Sequence, residues 1–340
     1  MMREAMLVEA GDDGAVRCRL CAHRCLVAPG RSGTCGVREN RGGTLLTRAY
    51  GELVAAHVDP IEKKPLYHFL PGTLSMSVAL AGCNFRCGFC QNWEISQTPA
   101  GGGASGGGRE TPPEAVVSAA LANRCRSISY TYTEPTIFFE YAYDTAKAAR
   151  AAGLANVFVT NGYMTAEALD VVLPYLDAAN VDLKAFRDAT YKKVCGARLQ
   201  PVLDTIRKMH ELGVWVEVTT LVVPGMNDGE DELRDIARFL AGVDPALPWH
   251  ISRFHPDYKC TDTPATPVET LRRAREIGRE AGLRFVYVGN VTHGARDGED
   301  TACPGCGRTL IRRRGFAIEA NDLTGGGACP HCGAAVAGRF

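Results

Sequence analysis

The chain has no surplus of either charge: 38 Lys and Arg residues stand against 38 Asp and Glu residues. A strong nucleic-acid or anionic-membrane partner wants a basic excess, so neither is expected. No apolar run reaches the roughly 18 residues that a membrane span requires, so no membrane association is expected. The opening Met1–Gly14 lacks the basic-then-apolar pattern of an export signal, and a cytoplasmic location is expected. Disorder is excluded too, because 46% hydrophobic and 22% charged residues balance as they do in globular chains. A length of 340 residues suggests two domains, or one large α/β barrel with additions.

What the chain does have is cysteine, 14 residues of it. Without an export signal, clustered thiols point to bound metal rather than to disulfides. They fall into three sets: Cys18, Cys21, Cys25 and Cys35; Cys83, Cys87 and Cys90; and Cys303, Cys306, Cys329 and Cys332. Cys125, Cys195 and Cys260 stand alone, and a small buried hydrophobe is the default role for each. Three units are expected: an N-terminal Cys-rich module over 1–70, a central domain over 71–295, and a zinc-ribbon-like module over 296–340.

The centre alternates strand and helix signals. Short β-branched runs occur at Ser75–Ala81, Ser127–Thr131, Asn156–Thr160, Asn180–Leu183, Val214–Val223, His250–Phe254 and Phe285–Val288. Between them, Leu233, Ile236, Ala237, Leu240 and Ala241 repeat with helical spacing. Leu169, Val172, Leu173 and Leu176 make a second stripe, and Val268, Leu271, Ala274 and Ile277 a third. Repeated β-then-α units predict a parallel sheet with right-handed crossovers. Six or seven such strands are too few for a closed eight-fold barrel, so a partial (β/α)6-type barrel is expected, with its chemistry at the C-terminal strand ends. The Gly/Ser-rich segment Ala100–Arg109 reads as a flexible loop without a catalytic role.

The middle set has the spacing C-x3-C-x2-C and follows the first strand of the centre. Three thiolates can hold three irons of a [4Fe–4S] cube and leave the fourth iron open. An open position is what a substrate-binding metal centre needs. A zinc site completed by a distant residue is the alternative.

With Phe89 just before the third cysteine, the triplet resembles the signature of radical S-adenosylmethionine (SAM) enzymes. The resemblance extends through Thr133-Glu134-Pro135, Thr160-Asn161-Gly162, Asp182-Leu183-Lys184, Val223–Asp228 and Phe254-His255-Pro256, in that order. This series is similar to the activating enzymes of pyruvate formate-lyase. With the leading cysteines, Val58–Pro65 and the trailing C-x2-C pair, it most resembles the radical SAM member of the AmmeMemoRadiSam group. The resemblance implies a [4Fe–4S] cluster on Cys83, Cys87 and Cys90 that reductively cleaves SAM. The product is a 5′-deoxyadenosyl radical, which abstracts hydrogen from an unidentified substrate, a protein or a small molecule. An electron donor of flavodoxin or ferredoxin type is implied, and Ammecr-like and Memo-like proteins are candidate partners.

Matched residue by residue, Glu134 falls in the segment near the SAM amino group, with a helix N-cap as its structural alternative. Asn161 falls in the segment facing the ribose and methionine. The activating enzymes carry an Asp two residues earlier, where this chain has Val159. Asp182 and Lys184, two apart on a strand, share a face. Lys184 would meet the SAM carboxylate, unless the two close into an ion pair with no ligand. His255 matches the family's methionine-side histidine, and Phe89 would pack near the adenine. Trp93 is either core or an aromatic at the cluster mouth.

The C-terminal set forms two C-x2-C knuckles, with Leu310, Ile311, Phe316 and Ile318 between them suited to a short hairpin. Four thiolates in tetrahedral array read as structural zinc, with a rubredoxin-type iron as the competitor. His331 sits inside a knuckle and is expected outside the ligand set. The N-terminal set, C-x2-C-x3-C-x9-C, fits either zinc or an auxiliary [4Fe–4S] cluster, with zinc favoured and His23 as an alternative ligand. Two other functions compete with a radical SAM enzyme of open substrate: an activase for a glycyl-radical enzyme, and a non-catalytic zinc-binding interaction protein. An electron-transfer iron–sulfur protein is a further alternative.

Overall fold

A computed structural model of the protein describes residues 2–97, 108–291 and 298–340. The glycine-rich stretch at 100–107 and the expected boundary at 295/296 lie outside the described residues.

The centre is one large sheet. Strand β1 (Glu52–Pro60) runs antiparallel to β2 (Leu74–Leu80). From β2 onward the strands are parallel: β3 (Ser127–Tyr130), β4 (Ala155–Thr160), β5 (Ala178–Asp182), β6 (Trp215–Val222), β7 (Trp249–Arg253) and β8 (Val286–Gly289). Their spatial order follows the chain. Six successive crossovers then all turn the same way, which puts the helices on one face and rolls the sheet into an open barrel. Seven parallel strands joined by six crossovers agree with the expected partial barrel. The parallel strands are largely buried on both faces, and they bury Ser75, Ser77, Ser127, Ser129, Asn180 and Thr219 as well as apolar side chains.

The helices carry the stripes expected of them. They are α1 (Pro113–Ala122), α2 (Phe139–Ala151), α3 (Ala166–Val172), α4 (Gln200–Glu211), α5 (Glu230–Val243) and α6 (Val268–Glu280). In α5, Leu233, Ile236, Ala237 and Leu240 are buried; in α6, Leu271, Ala274 and Ile277 are. The second stripe is split. Leu169 and Val172 lie in α3, whereas Leu173 opens a 3-10 turn through Pro174, which cannot continue the helix.

Strand β1 reaches the sheet from the N-terminal side of residue 70, so the main sheet and the leading segment are continuous there. Before it, two three-stranded antiparallel sheets carry the first cysteines. At the other end, Thr301–Ala302, Thr309–Arg314 and Ala317–Asn321 form a third antiparallel sheet. Leu310 and Ile311 are buried in it, while Phe316 is exposed at its turn.

The N-terminal ends of the barrel strands are closed by a buried polar cluster. Glu217 on β6, fully buried, accepts from Tyr67 N at 3.0 Å, His68 N at 2.8 Å and Trp215 Nε1 at 3.0 Å, and pairs with His250 Nε2 at 2.6 Å. Burial works to raise its pKa, but these donors outweigh it and hold the carboxyl below its usual value. His68 continues the cluster to Ala337 O at 2.7 Å and Tyr287 Oη at 2.5 Å, and Arg313 donates to Tyr67 O at 2.8 Å. The C-terminal module is thus tied to the barrel floor. Glu217→Ala leaves three N–H donors and a histidine unpaired inside the protein, and should cost about 3–5 kcal/mol in urea unfolding. A loss under about 1 kcal/mol would show that the cluster is not a structural anchor.

Candidate functional site

The opposite, C-terminal ends of the strands surround a cleft of about 190 Å³. Cys83, Cys87 and Cys90 come from the loop after β2, Glu134 from the loop after β3, Asn161 from the end of β4, and Asp182 and Lys184 from the end of β5. Phe89 lines the same cleft. Eight of the residues matched from sequence, the three cysteines among them in one loop, therefore meet where an open α/β barrel places chemistry.

The cysteine loop departs from β2 at Gly82, whose φ of +107° suits only glycine. A Cβ there would also come within 3.0 Å of Val37. Beyond it, Phe85 N donates to Cys83 Sγ at 3.3 Å, and Arg86 Nη1 grips Cys83 O at 2.8 Å. Cys90 Sγ lies 3.1 Å from Ser96 Oγ. Asn84 Nδ2 is buried without a hydrogen-bond partner, leaving a free donor beside Cys83. Among the described residues, no trio drawn from these thiols lies mutually within 4.8 Å. A single ion needs closer sulfurs; separate irons of one cluster do not. The donor set, its spacing and the free amide fit an iron–sulfur cluster.

Glu134 is the hub of the remaining polar groups. Its Oε1 accepts from Thr136 N at 3.0 Å, Thr136 Oγ1 at 2.6 Å and Thr160 Oγ1 at 2.7 Å; Oε2 accepts from Asn161 N at 2.8 Å. It therefore caps the turn Pro135–Phe138 and also faces the cleft. Burial pushes its carboxyl above the usual range even against these donors. Asn161 Nδ2 in turn donates to Asn84 Oδ1 at 2.7 Å, which joins the cysteine loop to the Glu134 cluster.

Lys184 Nζ closes on Asp182 at 3.1 Å and lies 5.9 Å from the centre of the Phe89 ring. Burial alone would lower its pKa, but Asp182 and the neighbouring thiols raise it well above the ordinary value. It is a fixed cation at the cleft wall. His255 is exposed at the rim, its Nδ1 3.0 Å from Gln91 Nε2, and Gln91 lines the cleft. Val159, at the position of the activating enzymes' Asp, packs instead with the apolar cluster of Ile61, Leu66 and Phe69. Trp93 is partly exposed and stacks on Tyr258 with ring centres 5.2 Å apart.

Cys195 is more than a buried hydrophobe. Its thiol, beside that of Cys87, raises the Cys87 pKa, and its carbonyl accepts from Arg86 N at 2.9 Å. Only the chain path could have shown this, because nothing in the local spacing around Cys195 marks it. Gln91, Ser96, Thr133 and Thr219 also line the cleft without any motif to flag them.

The other two cysteine sets also converge. Cys303, Cys306, Cys329 and Cys332 have all four sulfurs within 4.8 Å of one another, with contacts of 3.5 and 3.8 Å. A Zn–S bond of about 2.3 Å gives tetrahedral edges of roughly 3.8 Å, so this set can hold one metal ion. His331 pairs with Arg308 at 2.8 Å, outside the four sulfurs. Cys18, Cys21, Cys25 and Cys35 line a separate small cavity. His23, the alternative ligand, is engaged through Nε2 with Asn84 O at 2.8 Å.

Comparison with known proteins agrees with this geometry. Residues 78–240 match the Radical SAM superfamily. The chain is 50% identical over 313 residues to an uncharacterized protein of Methanocaldococcus jannaschii, covering 92% of each. It is 22% identical over 223 residues to the pyruvate formate-lyase-activating enzyme of Clostridium pasteurianum, covering 60% of this chain and 89% of that one. In fold it is similar to a radical SAM methyltransferase from Sphaerobacter thermophilus, with a TM-score of 0.51, 18% identity and 71% of each chain covered. Among the described residues no helix is long and apolar enough to cross a membrane.

The tail around Cys303–Cys332 buries few apolar side chains, so its metal should carry its folding. Cys306→Ser with Cys329→Ser should release about one metal ion per chain and open residues 301–340 to limited proteolysis. A metal-free tail that stayed protease-resistant would contradict this.

Proposed function

Because the chain belongs to the radical SAM superfamily, we propose that the strand-end cleft is its catalytic site, with Cys83, Cys87 and Cys90 holding a [4Fe–4S] cluster and the polar groups beside them binding SAM. The observation that carries this is the meeting of three widely spaced thiols with a buried acid and a fixed lysine in one cleft. When bound, the cluster and SAM together supply reductive cleavage to a 5′-deoxyadenosyl radical, which takes a hydrogen atom from the substrate.

The chain's own part is placement. Lys184, held by Asp182, offers its ammonium to the SAM carboxylate. Glu134 faces the SAM amino group and fixes Asn161, which borders the ribose and methionine side. Phe89 gives the adenine an apolar face, and His255 with Gln91 closes the rim on the methionine side. The barrel wall around them keeps water away from a reactive radical. With Val159 where the activating enzymes carry an Asp, SAM is held here without a carboxylate at that position.

The substrate class follows from the similarity to pyruvate formate-lyase-activating enzymes: a partner whose backbone glycine gives up the hydrogen is one reading. The other is a different protein or small molecule, in a system shared with Ammecr-like and Memo-like proteins. It is supported by the added cysteine modules and the AmmeMemoRadiSam-like motif series. In either case the chain works in the cytoplasm with a flavodoxin- or ferredoxin-type donor. Its proposed organisation is a Cys-rich module over 1–70, whose strand β1 joins the barrel sheet, a barrel over 71–295 and a zinc-holding module over 296–340.

The test is anaerobic. The reconstituted, dithionite-reduced protein should turn SAM into 5′-deoxyadenosine, measured by chromatography, and the C83A/C87A/C90A variant should not. Lys184→Ala should weaken SAM binding about 10- to 100-fold, the worth of one hydrogen bond to a charged group. A variant that binds SAM as tightly as the wild type would remove Lys184 from the site, and a wild type that holds no cluster would overturn the reading.

A further inference from the structure

The N-terminal cysteines take no part in the cleft. Cys18 ends a short strand, Cys21 bridges to Met164, Cys25 precedes the strand Leu26–Val27 and Cys35 lies on a turn, yet all four line one cavity with Ile137 and Arg38. Their arrangement differs from that at the C-terminus. There the four sulfurs crowd within 4.8 Å of one another, as one ion requires; among the described residues, no trio from the N-terminal set does. Four thiols that face one cavity from farther apart suit a group with several metals, each thiol on its own iron.

Arg38 is a second, independent pointer. It is 1% exposed. Its Nη1 lies 3.5 Å from Cys18 Sγ and 3.0 Å from Met6 O, and Nη2 pairs with the buried Glu140. Its Nε is buried without any partner. A zinc site offers such a donor only its four thiolates, whereas a cluster adds inorganic sulfides as further acceptors. Thr34 adds donors on the other side, with N 3.5 Å and Oγ1 3.3 Å from Cys25 Sγ. Donors aimed at sulfur are the means by which proteins hold and tune such clusters.

This cavity shares a wall with the catalytic cleft. Thr136 lines it and binds Glu134 from the cleft side. Thr34 O accepts from Arg86 at 2.6 Å, in the loop that carries Cys83 and Cys87. The carbonyl of Cys35 lies 3.6 Å from where a Cβ on Gly82 would stand.

We propose that Cys18, Cys21, Cys25 and Cys35 hold a second, fully protein-ligated [4Fe–4S] cluster, seated against the loop of the open one, and that zinc is confined to the C-terminal module. With four thiolate ligands this cluster has no open position, so it is a redox centre and not a substrate site. The full chain, purified without oxygen, should carry about eight irons, eight sulfides and one zinc. The C83A/C87A/C90A variant should keep about four irons and four sulfides, with a reduced-state resonance signal that SAM does not alter. Adding C18A/C21A/C25A/C35A should abolish both. A C83A/C87A/C90A variant with two zincs, or with iron but no sulfide, would overturn the proposal. Because that variant lacks the catalytic cysteines, its iron count is independent of whether the cleft cleaves SAM.

Discussion

Four hydrogen bonds to the Glu134 carboxylate hold the upper end of this barrel together. A buried carboxylate is costly unless donors surround it, and here the donors come from two separate strand ends. Thr136 belongs to the loop after β3, while Thr160 and Asn161 end β4. Asn161 then passes the constraint to Asn84, and so to the cysteine loop after β2. Three neighbouring strand ends are fixed to one another through a single acid. An acid placed so cannot move without moving the cysteines. The positions of Cys83 and Asn161 are consequences of that network as much as of the sheet below.

The floor of the barrel repeats the device. Glu217 gathers donors from Tyr67, His68, Trp215 and His250, just as Glu134 gathers them from the loops above. Between the two acids the strands bury small polar side chains among the apolar ones, such as Ser75 against Ser129 at 2.6 Å and Thr219 donating to Asn180 at 2.8 Å. Of the two acid clusters, the lower one fixes residues 67–68 and the C-terminal module beneath the barrel; the upper one fixes the cysteine loop after β2. Lys184 completes the upper end as a cation that Asp182 keeps charged despite burial.

Much of this was legible in the sequence because it is local. Strand and helix periods, the C-x3-C-x2-C loop and the C-terminal knuckles are short-range patterns, and each lies where its pattern implied. The antiparallel β1 was not legible: its burial is mixed, and its partner β2 lies beyond an intervening turn. The Cys195–Cys87 contact is longer in range still, and a cysteine without a neighbouring cysteine gives no periodic signal. Glu134 shows a different limit. Its sequence context offered a cap or a ligand-facing acid as alternatives, but the carboxylate has two oxygens and serves the turn while lining the cleft. Asp182 and Lys184 were likewise posed as an ion pair or a ligand site; they pair at the cleft wall, where the same lysine remains within reach of an anion.

Metal nuclearity is the property that spacing along the chain conveys least. Both terminal sets contain a C-x2-C pair and four thiols, and counting cysteines treats them alike. The difference arises in the turns. In the C-terminal knuckle, Gly305 N and Cys306 N both donate to Cys303 Sγ, curling the loop around one point. The N-terminal thiols instead stand on separate strands and turns, around a cavity that also contains a buried guanidinium. A loop wrapped on itself brings sulfurs to the separation one ion requires; thiols that approach a cavity from several directions are what the proposed cluster would need. On the proposed reading, the number of metals follows from how the backbone approaches the site rather than from how many residues separate the ligands.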